Sequence, residues 1–171
     1  MKKFLFFDPI NVEGPKKKVL EFNQELNLLN EAELVLLDSF LDLIKNKQFY
    51  HSSKLSKQGW DLLKKLLKFP ADKAFPCLDL YRMFLLHPNS SEHFKVFEYG
   101  LEILQILVSF LKDSPVTTQM MALRCLANLF SNTSSRYMLQ SKRQFVIDHI
   151  SHYLVSDNKQ LRHAAITIIL K

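Results

Sequence analysis

A loose internal repeat limits the folds open to this chain more than any other feature. Shifting the sequence by 46 residues carries Leu80, Arg82 and Phe84 onto Leu126, Asn128 and Phe130. A further shift of 43 carries Met121, Leu123, Cys125 and Leu126 onto Ala164, Ile166, Ile168 and Ile169, with Asn128 on Lys171. Each block joins an apolar row to one polar residue: Arg82, Asn128 or Lys171. A unit of this length forms two or three helices and cannot bury its apolar face alone, so the units must stack on one another.

A period of about 40–47 residues belongs to HEAT and armadillo arrays. The expected fold is therefore all-α, an armadillo-like right-handed superhelical solenoid of helical repeats. Composition points the same way. The 171 residues hold only 3 Gly and 6 Pro, and no run alternates Val, Ile and Thr as a half-buried strand would. With 47% hydrophobic and 23% charged residues, the chain has the content of one globular domain, neither a disordered nor a membrane-embedded one. The apolar run from Phe4 to Phe7 stops at Asp8 and Pro9, too short for a secretory signal. Cys77 and Cys125 lie inside apolar helical patterns with no framework of paired cysteines. A reducing cytoplasmic setting, or a nuclear one, is expected.

Residues 1–29 read as a lead-in packing on the solenoid, with a helix over 15–27, and residues 30–171 as the repeats. Asn30 and Glu33 form a capping box ahead of Leu34, Leu37, Leu41 and Ile44 at helical spacing. Further helices are expected over 55–69, from Pro76 to about 86, over 92–99 and over 101–112 with Gly100 as the corner between them. Ser114 and Pro115 read as cap and first position of a helix to about 131. Residues 132–135 read as a polar turn, followed by a helix over 141–154. Asp157 with Gln160 reads as the capping box of the last helix. That helix stays apolar over 161–170 with no polar tail, which implies that C-terminal repeats are missing.

Catalytic and metal-binding patterns are weak. His149 and His152 share a helix face, but no third ligand is supplied nearby. Cys77 and Cys125 among Leu, Phe and Met read as inert buried thiols. With no phosphate loop, serine elbow or zincin motif, no enzyme activity, metal or cofactor is expected. The net charge of +6 favours an acidic partner, but no nucleic-acid module surrounds the basic residues. Lys16, Lys17, Lys18, Lys64, Lys65 and Lys68 read as solvated surface.

Binding is better supported. The innermost helix of each armadillo unit lines a concave groove, and Arg82, Asn128 and Lys171 are the polar residues at equivalent positions of three such helices. Asp79 lies three residues before Arg82 and can orient its guanidinium, while Arg124 lies four before Asn128 on nearly the same face. Asn can bond the backbone of an extended peptide and Arg can grip a carboxylate. The same spacing also fits a plain intrahelical ion pair with Asn128 as an internal cap.

Phe75, Pro76, Leu78, Asp79 and Arg82, then His87 and Pro88, then Ala122, Leu123, Arg124 and Asn128, then Met138, Leu139, Gln140 and Ser141 resemble the PUL domain. This is the domain of the phospholipase-activating protein family of ubiquitin-pathway adaptors. The aromatic start at Phe4 to Phe7 and the run Lys18, Val19, Leu20, Phe22, Asn23, Leu26 fit it as well. The resemblance implies a non-catalytic solenoid whose groove takes the acidic C-terminal tail of the AAA ATPase valosin-containing protein, linking it to ubiquitin-dependent degradation. It implies no membrane or nucleic-acid partner, and contact with ubiquitin only through domains outside these residues. Arg82, Arg124 and Lys171 would meet the acidic groups and Asn128 the peptide backbone. Arg82→Ala is then expected to weaken tail binding by about 1–3 kcal/mol with the fold intact. The second reading is a generic helical-repeat scaffold that binds another protein partner.

Overall fold

Asn30 starts a helix as its spacing with Glu33 predicts. Its side chain accepts the Glu33 amide at 2.9 Å, and the Glu33 carboxylate accepts the Asn30 amide at 2.9 Å. The computed structural model describes residues 5–171 and, among them, ten α-helices and no strand. Phe4, part of the expected aromatic start, lies outside the described residues. The helices are α1 (Glu13–Leu26), α2 (Glu31–Lys45), α3 (Lys57–Leu66), α4 (Phe75–Leu85) and α5 (Ser90–Phe94). They continue with α6 (Phe97–Ser109), α7 (Val116–Asn128), α8 (Thr133–Ser141), α9 (Arg143–Ile150) and α10 (Lys159–Ile169).

The helices form three successive triplets, α2–α4, α5–α7 and α8–α10. The third helix of each packs on the third helix of the next, so α4, α7 and α10 make one layer, which α1 extends on the far side of α4. This is the armadillo-like arrangement, and its period is written into hydrogen bonds. Thr118 Oγ1 donates to the Ala71 carbonyl at 2.6 Å and Cys125 Sγ to the Leu78 carbonyl at 3.2 Å, each 47 residues back. Asn128 Nδ2 donates to the Arg82 carbonyl and Ser131 Oγ to the Leu85 carbonyl, both at 3.0 Å and 46 residues back. Between the layers, Leu63, Leu66, Leu78, Leu80, Phe84, Leu104, Leu107, Leu123 and Leu126 are fully buried.

One glycine is fixed by packing. A Cβ on Gly59 would lie 2.0 Å from Cζ of Phe40, so α3 meets α2 only because that position is bare. Gly100 is a correction to the expected corner, since it sits inside α6, where a Cβ would come within 3.4 Å of Met138. The chain bends instead at Val96, which is extended ahead of α6. Three caps also differ. Pro115, with ψ of 150°, precedes α7; the Ser114 hydroxyl turns back to the Lys112 carbonyl, and only the Ser114 carbonyl meets α7, accepting from Gln119 Nε2. Residues 132–135 are not a free turn, because Asn132 caps α8 by accepting the Ser135 amide at 2.9 Å. Asn158 rather than Asp157 caps α10, taking the amides of Gln160 and Leu161. At α7 and α10 the cap lies one residue from the expected one, at Pro115 and Asn158, whereas Asn132 caps a helix over 133–141 that begins where a polar turn is expected.

Candidate functional site

The layer α1, α4, α7, α10 is crossed by the chain's own lead-in. Residues 5–12 run from the end of α10 across α7 and α4 to the start of α1, and Asn128 and Arg82 hold them there. Asn128, fully buried, accepts the Phe7 amide on Oδ1 at 2.9 Å and donates to the Phe7 carbonyl from Nδ2 at 3.0 Å. Arg82 is 6% exposed. Its Nε donates to Asp79 Oδ1 at 2.6 Å, and its Nη1 to the carbonyls of Phe7 at 2.9 Å and Pro9 at 3.0 Å. The intrahelical Asp79–Arg82 ion pair is present, and the backbone that Asn128 and Arg82 bond is that of the chain's own lead-in. Arg82 is buried and bonded at three points, so the expectation that Arg82→Ala leaves the fold intact does not survive the structure.

The two remaining cations sit on the lead-in's aromatic rings. The Arg124 guanidinium carbon lies 5.2 Å from the Phe7 ring centroid, and Lys171 Nζ lies 3.9 Å from that of Phe6. His163 of α10 meets Phe7 edge-on, with ring centroids 5.7 Å apart. Lys171 Nζ also donates to the Ala127 carbonyl at 2.7 Å. Four of the five residues singled out in the sequence thus converge on Phe6, Phe7 and Pro9 of the lead-in, and the fifth, Asp79, reaches it through Arg82. Phe6 and Phe7 figure in the sequence only as part of an aromatic start, and His163 not at all, because only the tertiary fold sets them beside Arg124 and Lys171.

Electrostatics set the groove's character. Asp79 is bonded to Arg82, and Arg124 Nε is buried without an acceptor among the described residues. Burial, reinforced by the Arg82 charge, holds the Arg124 pKa below its usual value, with Asp79 opposing. Lys171 is lowered to about 7, chiefly by burial and then by the charge of Arg136. Protonated, the site is a cluster of cations with little counter-charge.

Beside the lead-in, where it passes into α1, lies an open cleft of about 480 Å³. Pro15, Phe75, Pro76 and Met121 give it an apolar lining, and Lys17, Lys18, Glu21 and Asp79 border it, Lys18 being paired with Glu21 at 2.8 Å. Met121 is one turn from Arg124 on α7, which puts cleft and cations on one face. A second cleft of about 380 Å³, lined by Leu139, Val146, Ile150, Ile168 and Lys171, lies between α9 and α10.

The other candidate chemistry lies elsewhere. Cys77 and Cys125 are fully buried, and burial pushes both thiols far above the ordinary thiol range. His149 Nδ1 lies 2.7 Å from the Phe145 carbonyl, within its own helix. Among the described residues no group of three or more metal-binding side chains forms, and no helix is long and apolar enough to cross a membrane.

Comparison with known proteins gives this geometry a family. The family model of the PUL domain matches residues 1–170. A phospholipase A-2-activating protein of Xenopus laevis is 26% identical over 164 residues, covering 95% of this chain and 20% of that protein. A ubiquitin fusion degradation protein 3 homolog of Caenorhabditis elegans is 27% identical over 128 residues, 74% of this chain and 14% of that protein. The exocyst complex component sec8 of Schizosaccharomyces pombe is 26% identical over 161 residues, 91% of this chain and 13% of that protein. The chain spans about a fifth or less of the curated relatives it matches.

Proposed function

The chain belongs to the PUL domain family, and from that membership we propose that it is a non-catalytic protein-interaction module of the ubiquitin pathway. Its ligand is the acidic C-terminal tail of the AAA ATPase valosin-containing protein, which the module links to ubiquitin-dependent degradation. The ligand lies beside the strapped lead-in, over the inner ends of α4 and α7. One observation carries this reading: Asn128 and Arg82 are taken up by Phe7 and Pro9, while Arg124, half-buried and with no acceptor for its buried Nε–H among the described residues, lies one turn along α7 from Met121 of an open cleft bordered by Lys17 and Lys18 as well as by Glu21 and Asp79. A half-buried, under-satisfied guanidinium gains more from a carboxylate than a solvated one does, because it exchanges fewer existing bonds for the new one.

The relatives' names support the setting, one referring to ubiquitin fusion degradation and another to phospholipase activation. The test is a titration of the chain with a fluorescent peptide of the acidic tail at low and moderate salt. Saturable binding that weakens with salt, and by about one to two powers of ten in Arg124→Ala, supports the reading. Binding that ignores both salt and Arg124 would instead favour a generic helical scaffold for another protein partner. No binding removes the tail as ligand.

A further inference from the structure

We propose that Phe7 is a positioning residue of the groove, fixing the Arg124 guanidinium for a ligand carboxylate, an inference that rests on the acidic-peptide reading above. Phe7 touches both arginines in different ways. Its carbonyl takes Arg82 Nη1 at 2.9 Å, and its ring lies under Arg124 at 5.2 Å. The two guanidinium groups are close enough for the charge of one to lower the pKa of the other. Like charges at that range separate unless something holds them, and Phe7 is in contact with both. Phe7 itself cannot shift, since Asn128 bonds its amide and its carbonyl and His163 closes the edge of its ring.

Apart from the packing around its buried Nε, little else orients Arg124. Asp79, the acid nearest in charge, is bonded to Arg82, and Arg124 Nε has no acceptor among the described residues. The ring is therefore what selects its rotamer. An aromatic face suits this task because it holds a guanidinium by its plane and uses none of the N–H donors that a carboxylate needs. The lead-in thus sets specificity for a carboxylate as well as closing one side of the groove.

The test combines a readout that needs no ligand with one that does. In the ¹⁵N–¹H spectrum of the arginine side chains, the Arg124 Nε–H should carry a ring-current shift that Phe7→Leu abolishes while the helical amide spectrum persists. With the acidic-tail peptide as probe, Phe7→Leu should reduce affinity about three- to tenfold. It should also narrow the preference for the tail over a copy with its carboxylates changed to amides. In an Arg124→Ala background Phe7→Leu should change affinity little. An Arg124 resonance indifferent to Phe7→Leu overturns the proposal, as does an equal loss of affinity in both backgrounds. If the wild type ignores the tail while its Arg124 resonance still depends on Phe7, the positioning holds and the tail falls as ligand.

Discussion

Asn128 holds Phe7 by both of its backbone polar groups, at 2.9 Å on the amide and 3.0 Å on the carbonyl. The carboxamide stands where a residue of a neighbouring β-strand would, and it anchors an otherwise irregular segment to the inner layer of helices. The same Nδ2 also reaches the Arg82 carbonyl, so one side chain joins two repeats and the lead-in.

Asn128→Ala should therefore release the lead-in before it melts the helices. It leaves the Phe7 amide without its buried partner, at a cost of about 1–3 kcal/mol. Limited proteolysis should begin to cut within residues 5–12, with the helical circular dichroism preserved and the melting temperature lowered by several degrees. Protection of those residues equal to the wild type would show that the aromatic contacts suffice to anchor them.

Arg82→Ala should act on stability as well as on binding. It strands Asp79, which is bonded to it at 2.6 Å, and frees two lead-in carbonyls. Urea unfolding should show a clear loss, larger than that of Arg124→Ala. Equal midpoints for the two variants would contradict this division of labour.

Gly59→Ala pits helix propensity against packing. Alanine favours the helix by about 1 kcal/mol, but its Cβ would meet the Phe40 ring at 2.0 Å. Overpacking costs about 1–3 kcal/mol, so the substitution should be net destabilising in chemical denaturation. Phe40→Leu should recover most of the loss in the double variant. If Phe40→Leu recovers none of it, the clash is not the cause.

Lys171 should make tail binding pH-dependent. Its pKa is lowered to about 7, so the groove loses a positive charge as pH rises through neutrality. A carboxylate ligand favours the protonated form, hence affinity should fall between pH 6 and 8.5 and flatten in Lys171→Arg. Fold stability moves in the opposite direction. The lowered pKa penalises the charged form in the folded state, so stability should rise as pH passes from about 7 toward the unfolded value near 10.5. Affinity that stays constant across this range would remove Lys171 from the ligand's reach.

His87 should register on the acid side. Nδ1 accepts the Asn89 amide at 3.1 Å, leaving Nε2 to donate to Ser53 Oγ at 2.9 Å, and burial with nearby His51 lowers its pKa. The lowered pKa gives stability that is complete above the unfolded value of about 6.5 and lost as pH falls through the folded one. Protection factors of the amides over residues 47–54, corrected for the intrinsic pH dependence of exchange, should fall below pH 6, and His87→Gln should blunt that response. Protection factors that are the same at pH 5.5 and 7.5 would discard the idea.

The repeat register was legible because it rests on apolar periodicity. Arg82 and Asn128, paired by a shift of 46 residues, lie one above the other in the structure. The short capping residues were harder to read. Asn158 wins over Asp157, and Asn132 starts a helix where a turn is expected, through local geometry that spacing does not encode. The lead-in was legible only as an aromatic run. That Phe6 lies over Lys171 and Phe7 over Arg124 depends on a fold-back spanning more than a hundred residues, a contact no local pattern announces.

The rungs from Thr118, Cys125, Asn128 and Ser131 to carbonyls of the preceding unit also limit how this sequence can drift. They engage only if α7 keeps its rotational phase against α4. One residue inserted near the middle of α7 would turn every later donor by about 100° and detach Asn128 from both the Arg82 carbonyl and Phe7. Length changes should therefore be tolerated in exposed outer connections, such as residues 46–49, and rejected within the inner helices, whatever their composition.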